Sequence, residues 1–118
     1  MDNKTTYALT ELTVRQLKTR RRRLARGMPD PEAVLQGSLI AQGRRCGKQG
    51  CRCTRGELHG PYVYLSLARG QAGARLVYVP SWLAEEVRRR VDVTDAAQAA
   101  LGEISAINLE LLRRRELT

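Results

Sequence analysis

The chain is 118 residues long and carries 21 Lys and Arg, most of them Arg, against 12 Asp and Glu, a formal charge of +9. With one Trp, four Tyr and no Phe, its core has to be built from Leu, Val, Ile and Ala, which suits helices and a short sheet and argues against a large β-sandwich. No run approaches the ~20 apolar residues of a membrane span; the surplus of cations points to nucleic acid ahead of an anionic lipid surface.

A single domain over residues 1–118 is expected at this length. Met1 to Thr6 is followed by no apolar segment of the kind a secretory signal needs, so a cytoplasmic location is expected.

Residues 8–26 read as a first helix, with Leu9, Leu12, Leu17 and Leu24 at loosely helical spacing. Gly27 just beyond, with Pro29 soon after, supplies the stop. The second half of this segment carries Arg15, Lys18, Arg20, Arg21, Arg22, Arg23 and Arg26 with no acid between them, so cations ring the helix instead of lying on one stripe. Asp30-Pro31-Glu32 has the form of an N-cap, a Pro at the first helical position and an acid in the first turn, which predicts a short turn through Leu35. Ser38 to Arg45 is expected as an edge strand.

The strand leads into Cys46-x4-Cys51-x-Cys53-x5-His59, where all three cysteines and the only histidine of the chain fall within fourteen residues. Thiolates and imidazole are what zinc accepts, and four such donors complete a tetrahedral site. Extended backbone at Arg52 would aim Cys51 and Cys53 to one side, since residues two apart on a strand share a face. Cys46 and His59 would close the site from either end, and Gly47, Gly50, Gly56 and Gly60 give the backbone freedom to turn back on itself. The alternatives are free thiols, a redox pair, an iron-sulfur centre and a Cys nucleophile activated by His59. Iron-sulfur ligation is disfavoured because it wants four thiolates or two histidines, and a reducing compartment disfavours a disulfide.

Arg44, Arg45, Lys48, Arg52 and Arg55 surround the donors. Zinc with three thiolates and a neutral imidazole is net negative, but five cations exceed what neutralises it, and the surplus is expected to face phosphates. Catalysis finds little footing: the acids are scattered, Glu57 is the only one among the cysteines, and the lone histidine is assigned to the metal. The chain is therefore not expected to be an enzyme.

Two β-rich runs, Tyr62 to Arg69 and Ala74 to Val79, flank Gly70-Gln71-Ala72-Gly73 and predict a hairpin. A symmetric turn would put Val63, Leu65, Leu67, Leu76 and Tyr78 on one face and Tyr62, Tyr64, Ser66, Arg75, Val77 and Val79 on the other. Tyr62 and Tyr64 are then candidates for stacking on exposed bases or for packing, with Arg75 beside them. Ser81 is the expected N-cap of a further helix that turns Trp82, Val87 and Val91 inward, and Asp92 to Asp95 marks a kink or a break with Thr94 as a second cap. Ala97, Ala100, Leu101, Ile104, Ile107, Leu111 and Leu112 form an apolar stripe that needs cover, either from the first helix or from a second copy in a homodimer, with Asn108 near the seam.

The run Gly37-Ser38-Leu39, Cys46-Gly47-Lys48, Cys51-Arg52-Cys53, Gly56, His59-Gly60-Pro61-Tyr62 and Tyr64-Leu65, followed by Tyr78-Val79-Pro80 and Glu103 to Asn108, resembles a family of short, functionally uncharacterised prokaryotic proteins. Their signature is C-G-K-x-x-C-x-C-x-x-G-x-x-H-G-P-Y-x-Y-L, and the likeness covers residues 37 to 112. The resemblance implies an unassigned domain linked with mobile elements and transposase genes, and no established activity; the basic first helix and the Asp92 to Asp95 interruption depart from it. The expected strands also resemble in shape the three-stranded DNA-binding sheets of phage-type integrases, an analogy of fold that does not itself give function.

These features converge on an α+β domain: a small antiparallel sheet of a hairpin plus one strand, with a zinc-binding loop at 37–80, an N-terminal helix at 8–26 and long C-terminal helices at 81–116. The favoured function is nucleic-acid binding, DNA ahead of RNA, as an accessory or regulatory factor of a mobile element with a transposase as potential partner. Arg20, Arg21, Arg22, Arg23, Arg44, Arg45, Lys48, Arg52, Arg55, Tyr62, Tyr64 and Arg75 are the expected contacts. The alternative is a protein-interaction or oligomerisation module whose zinc loop is purely structural. No membrane partner is expected.

Overall fold

The computed structural model describes residues 9–45, 47–50, 56, 58–67 and 75–118. Among these run helix α1 (Val14–Arg26), a 3-10 turn (Pro31–Ala33), strands β1 (Ser38–Arg44), β2 (His59–Ser66) and β3 (Leu76–Val79), a second 3-10 turn (Ser81–Leu83) and helix α2 (Ala84–Arg113). The layout is α+β, with an antiparallel sheet ordered β1-β2-β3. Among the described residues no helix is long and apolar enough to cross a membrane. The chain divides into two compact units, one comprising the residues up to Ala33 with Val93–Thr118, the other Val34–Asp92.

In the first unit α1 begins at Val14, six residues later than the apolar spacing predicts. Thr13-Val14-Arg15-Gln16 is a capping box: the Gln16 amide donates to Thr13 Oγ1 (3.1 Å) and the Thr13 amide donates to Gln16 Oε1 (2.8 Å). Residues 9–11 form a separate helical turn ahead of it. Gly27 ends α1 as expected, though at φ −84° it does not use the left-handed freedom of glycine. The expected turn after Asp30 is present and shorter, ending at Ala33; the Asp30 carboxylate accepts from the Glu32 amide at 3.0 Å.

The apolar stripe of α2 is covered in part by α1 and the turn before it: Ile107 and Leu111 are buried, while Leu101 and Leu112 stay half exposed. Leu9, Leu17, Ile107 and Leu111 form a buried cluster, flanked by Leu12, Val14, Leu24 and Ala106. Arg114 ties the N-terminal turn to the end of α2: Nη1 donates to the Leu12 carbonyl (2.6 Å), Nη2 to those of Leu9 and Thr10 (3.1 Å each) and Nε to the buried Glu110 (2.7 Å). A guanidinium presents its donors in a rigid fork, so one side chain satisfies carbonyls that the short turn leaves open and a carboxylate that burial would otherwise penalise. Asn108 lies at the α1–α2 seam, accepting from Arg21 Nη1 at 2.7 Å.

In the second unit Leu65, Val79 and Val91 form the buried cluster, packed round by Leu35, Leu39, Val63, Leu83, Ala84 and Val87. The register Val63↔Val79, Tyr64↔Tyr78, Leu65↔Val77, Ser66↔Leu76 corrects the faces drawn from a symmetric four-residue turn. The ladder continues through the bond from the Leu67 amide to the Arg75 carbonyl at 2.9 Å, which leaves an odd number of residues between Leu67 and Arg75. One residue of slippage exchanges the faces of a whole strand. Val77 and Val79 thus join Val63 and Leu65, Tyr78 joins Tyr62 and Tyr64, and Arg75 falls on the valine side.

Two further expectations are corrected around α2. Ser81 makes no side-chain cap; it starts the 3-10 turn, and Trp82 in that turn is 79% exposed while Val91 is buried. Residues 92–95 neither break the helix nor cap a second one, since α2 runs unbroken for 30 residues with Thr94 buried inside it. Leu17→Ala is expected to cost about 2–5 kcal/mol because Leu17 is fully buried, whereas Leu112→Ala on the exposed side of α2 should change stability by less than about 0.5 kcal/mol. Urea unfolding followed by circular dichroism measures both, and equal costs would contradict the packing of α1 on α2.

Candidate nucleic-acid interface and metal loop

Strand pairing sorts the sheet into two chemically different faces. The aliphatic one carries Leu39, Val63, Leu65 and Val79 and packs on the start of α2. The other carries Ile40, Gln42 and Arg44 from β1, Tyr62 and Tyr64 from β2 and Tyr78 from β3. Tyr78 is the hub of this face, with ring centroids 6.3 Å from Tyr62 and 5.8 Å from Tyr64, both edge to face. The Arg44 guanidinium carbon lies 4.7 Å from the Tyr64 ring centroid, a cation–π distance. Tyr64 is 7% exposed, whereas Tyr62 and Tyr78 keep 38% and 54% of their surface. No strand of this sheet carries an acidic residue.

The cysteine loop leaves from the β1–β2 end of this sheet. Pairing shifts between Gln42↔Tyr62 and Arg44↔His59, so β2 spends one more residue than β1 over the same stretch, a bulge of the kind that re-aims side chains at the edge of a site. Gly43 sits at the bulge because a Cβ there would be 2.7 Å from that of Leu58. Gly47, Gly50 and Gly56 are required for a different reason: φ is 77°, 78° and 102°, yet a Cβ on any of them would meet nothing within 4 Å among the described residues. It is the left-handed backbone that excludes a side chain there.

His59 pairs across the strands with Arg44, which precedes Cys46 by two residues in the sequence. Cys46, Cys51 and Cys53, with Arg52 and Arg55, lie outside the described residues. Among the described residues no group of three or more His, Cys, Asp or Glu is placed to hold a metal ion.

The expected phosphate contacts divide by environment. Arg45 and Lys48 are exposed beside the loop. On α1, Arg20 is ion-paired with Glu103 (Nε to Oε1, 2.8 Å) and Arg21 is held by Asn108 and by the Thr118 carbonyl at 3.0 Å. Arg15, Arg22, Arg23 and Arg26 are exposed and make no ion pair among the described residues. A shallow pocket beside them is lined by Leu12, Arg15, Thr19, Arg23 and Glu103 among others.

The pattern of the family described as a domain of unknown function, DUF6788, matches residues 14–101. The chain belongs to that family. The DUF6788 match begins on the first residue of α1, so the basic helix, which the motif-based resemblance left outside, is part of the family's domain together with the sheet and most of α2. No curated protein and no solved structure matches the chain.

Tyr78 was placed by sequence alone on the aliphatic face; the missing signal was the parity of the hairpin connection. The two kinds of tyrosine should separate on mutation. Tyr64→Ala is expected to cost about 3 kcal/mol, as a buried aromatic truncation, and Tyr78→Ala about 1 kcal/mol or less, chiefly its edge-to-face pairs. Thermal denaturation of the two variants tests this, and a costlier Tyr78 would contradict the assignment of Tyr64 as the packed member.

Proposed function

We propose that this DUF6788 chain is a zinc-stabilised nucleic-acid-binding protein, DNA favoured over RNA, that serves a mobile element as an accessory or regulatory factor, with a transposase as the partner to seek. The observation that carries the reading is the closed base of the cysteine loop, where His59 and Arg44 are cross-strand partners under a loop flanked by exposed Arg45 and Lys48. Three thiolates and an imidazole fit zinc, and the left-handed glycines beside Cys46 and Cys51 fit a chain that folds back around an ion. Zinc would supply folding energy to the loop and no chemistry; the chain is read as a binding protein and not an enzyme.

Arg44, Arg45, Lys48, Arg52 and Arg55 are assigned to phosphates, with Arg22 and Arg23 extending that set. Arg20 and Arg21 already have partners within the chain and are the weaker members of it. The mobile-element role rests on the resemblance of the motif alone.

A second reading, an oligomerisation module, is favoured by one observation: Leu101, Leu109 and Leu112 are each about half exposed and, at helical spacing, share one flank of α2.

The test is elemental analysis joined to electrophoretic mobility shift of a DNA duplex at two salt concentrations. The expected result is one zinc per chain, lost in the Cys51→Ser, Cys53→Ser double variant, with duplex affinity that falls steeply with salt. Arg45→Glu with Arg52→Glu should abolish duplex binding and leave zinc content unchanged. Unaltered affinity would contradict the phosphate assignment, and a stable oligomer by light scattering with no salt-dependent binding would favour the second reading.

A further inference from the structure

Single half-exposed aromatic side chains are ordinary, but a contiguous group of them marks a surface that something covers, and here they are gathered. Tyr62 and Tyr78 are 38% and 54% accessible and touch edge to face on the side of the sheet turned from the aliphatic cluster. A buried Tyr64 supports them from below the hub, 5.8 Å from Tyr78, and Arg44 lies over that ring. Ile40 and Leu76 border the patch.

The chemistry around the patch selects its occupant. None of the three strands carries an acid, Arg44 lies on the face itself, and Arg45 and Lys48 stand exposed beyond its β1–β2 end. Exposed aromatic rings set edge to face, bordered by cations and on strands that carry no acid, are complementary to a polyanion that also presents flat rings. In a duplex the base faces are hidden in the stack, and a protein meets only edges and phosphates. Only an unpaired strand offers base faces and phosphates together.

We propose that the Tyr62–Tyr78 face is a stacking platform for unpaired nucleotides, on which one or two bases lie against the exposed rings while Arg44 and the cations at the loop base meet the adjoining phosphates. The proposal rests on the nucleic-acid reading above and narrows it from nucleic acid in general to a single-stranded segment. Tyr64 is a positioning residue: it holds Tyr78 and Arg44 in place and is itself too buried to stack.

The experiment uses the full chain and fluorescence anisotropy with labelled oligothymidylate, oligouridylate and a mixed-sequence DNA duplex. Tyr62→Ala and Tyr78→Ala are each expected to weaken single-strand binding roughly 5- to 150-fold, the usual range for losing one aromatic–base stack, and to leave duplex binding unchanged. Tyr62→Phe and Tyr78→Phe keep the ring and should bind the strand as the unmodified chain does, which separates stacking from hydrogen bonding by the hydroxyl. The ratio of oligothymidylate to oligouridylate affinity tells DNA from RNA. If the alanine variants bind the strand as well as the unmodified chain while the duplex is bound in a salt-dependent way, the platform is refuted and the phosphate reading survives. If strand and duplex binding fall equally, the platform is likewise refuted. If none of the three probes is bound, the nucleic-acid reading falls and this proposal with it.

Discussion

The pairing register of β2 with β3 is the constraint on which the rest of the second unit depends. With Val63 opposite Val79 and Leu65 opposite Val77, one side of a three-stranded sheet becomes aliphatic and can be covered by Leu83, Ala84, Val87 and Val91. The same register sends Tyr62, Tyr64 and Tyr78 to the other side as a connected aromatic group. A shift by one residue would mix the two sets, putting Tyr78 into the contact with α2 and Val77 and Val79 among the tyrosines. Neither a dry core nor an aromatic surface would then exist. Packing on one side and the chemistry available on the other are thus two consequences of a single alignment.

The arginines show how a strongly basic chain divides its charge between fold and surface. Arg114 is structural, its guanidinium filled by three backbone carbonyls and Glu110. Arg20 and Arg21 join α1 to Glu103 and Asn108 of α2. Arg89 and Arg90 are engaged by Glu86; hydrogen bonding from Arg89 first, then Arg90, holds that carboxyl below the ordinary carboxylate range. What is left for the proposed nucleic acid is narrower than the total charge: exposed Arg15, Arg22, Arg23 and Arg26 on α1, and exposed Arg45 and Lys48 beside the cysteine loop. Net charge is a fair guide to the class of partner, but the partner meets only the cations that the fold does not use.

Much of this arrangement is legible in the sequence, because the strongest local signals concern backbone chemistry. The strand at Ser38, the stop at Gly27, the need of Ile107 and Leu111 for cover, which the first helix meets where a second copy was the other candidate, and the seam position of Asn108 follow from glycine, periodicity and amphipathic pattern. The departures have separate causes. Thr13 and Gln16 interrupt an apolar spacing that continues across them, so a helix start was hidden inside a helical pattern. A helix capped by Ser81 would turn Trp82 inward, but its place in a 3-10 turn leaves it outside. Tyr78 was misplaced by one residue of hairpin parity, which composition does not encode. The assignment of Cys46, Cys51 and Cys53 as metal donors rests on spacing and residue chemistry alone, since they lie outside the described residues.

The measurement that reaches the centre of this account is the set of nuclear Overhauser contacts across the hairpin in solution. The described register predicts ring-to-ring contacts of Tyr78 with both Tyr62 and Tyr64, and methyl contacts of Val79 with Val63. Contacts of the Tyr78 ring with Val63 and Leu65, and of Val77 with Tyr64, would mean that the strands pair one residue out of step, and the two-faced sheet would be refuted.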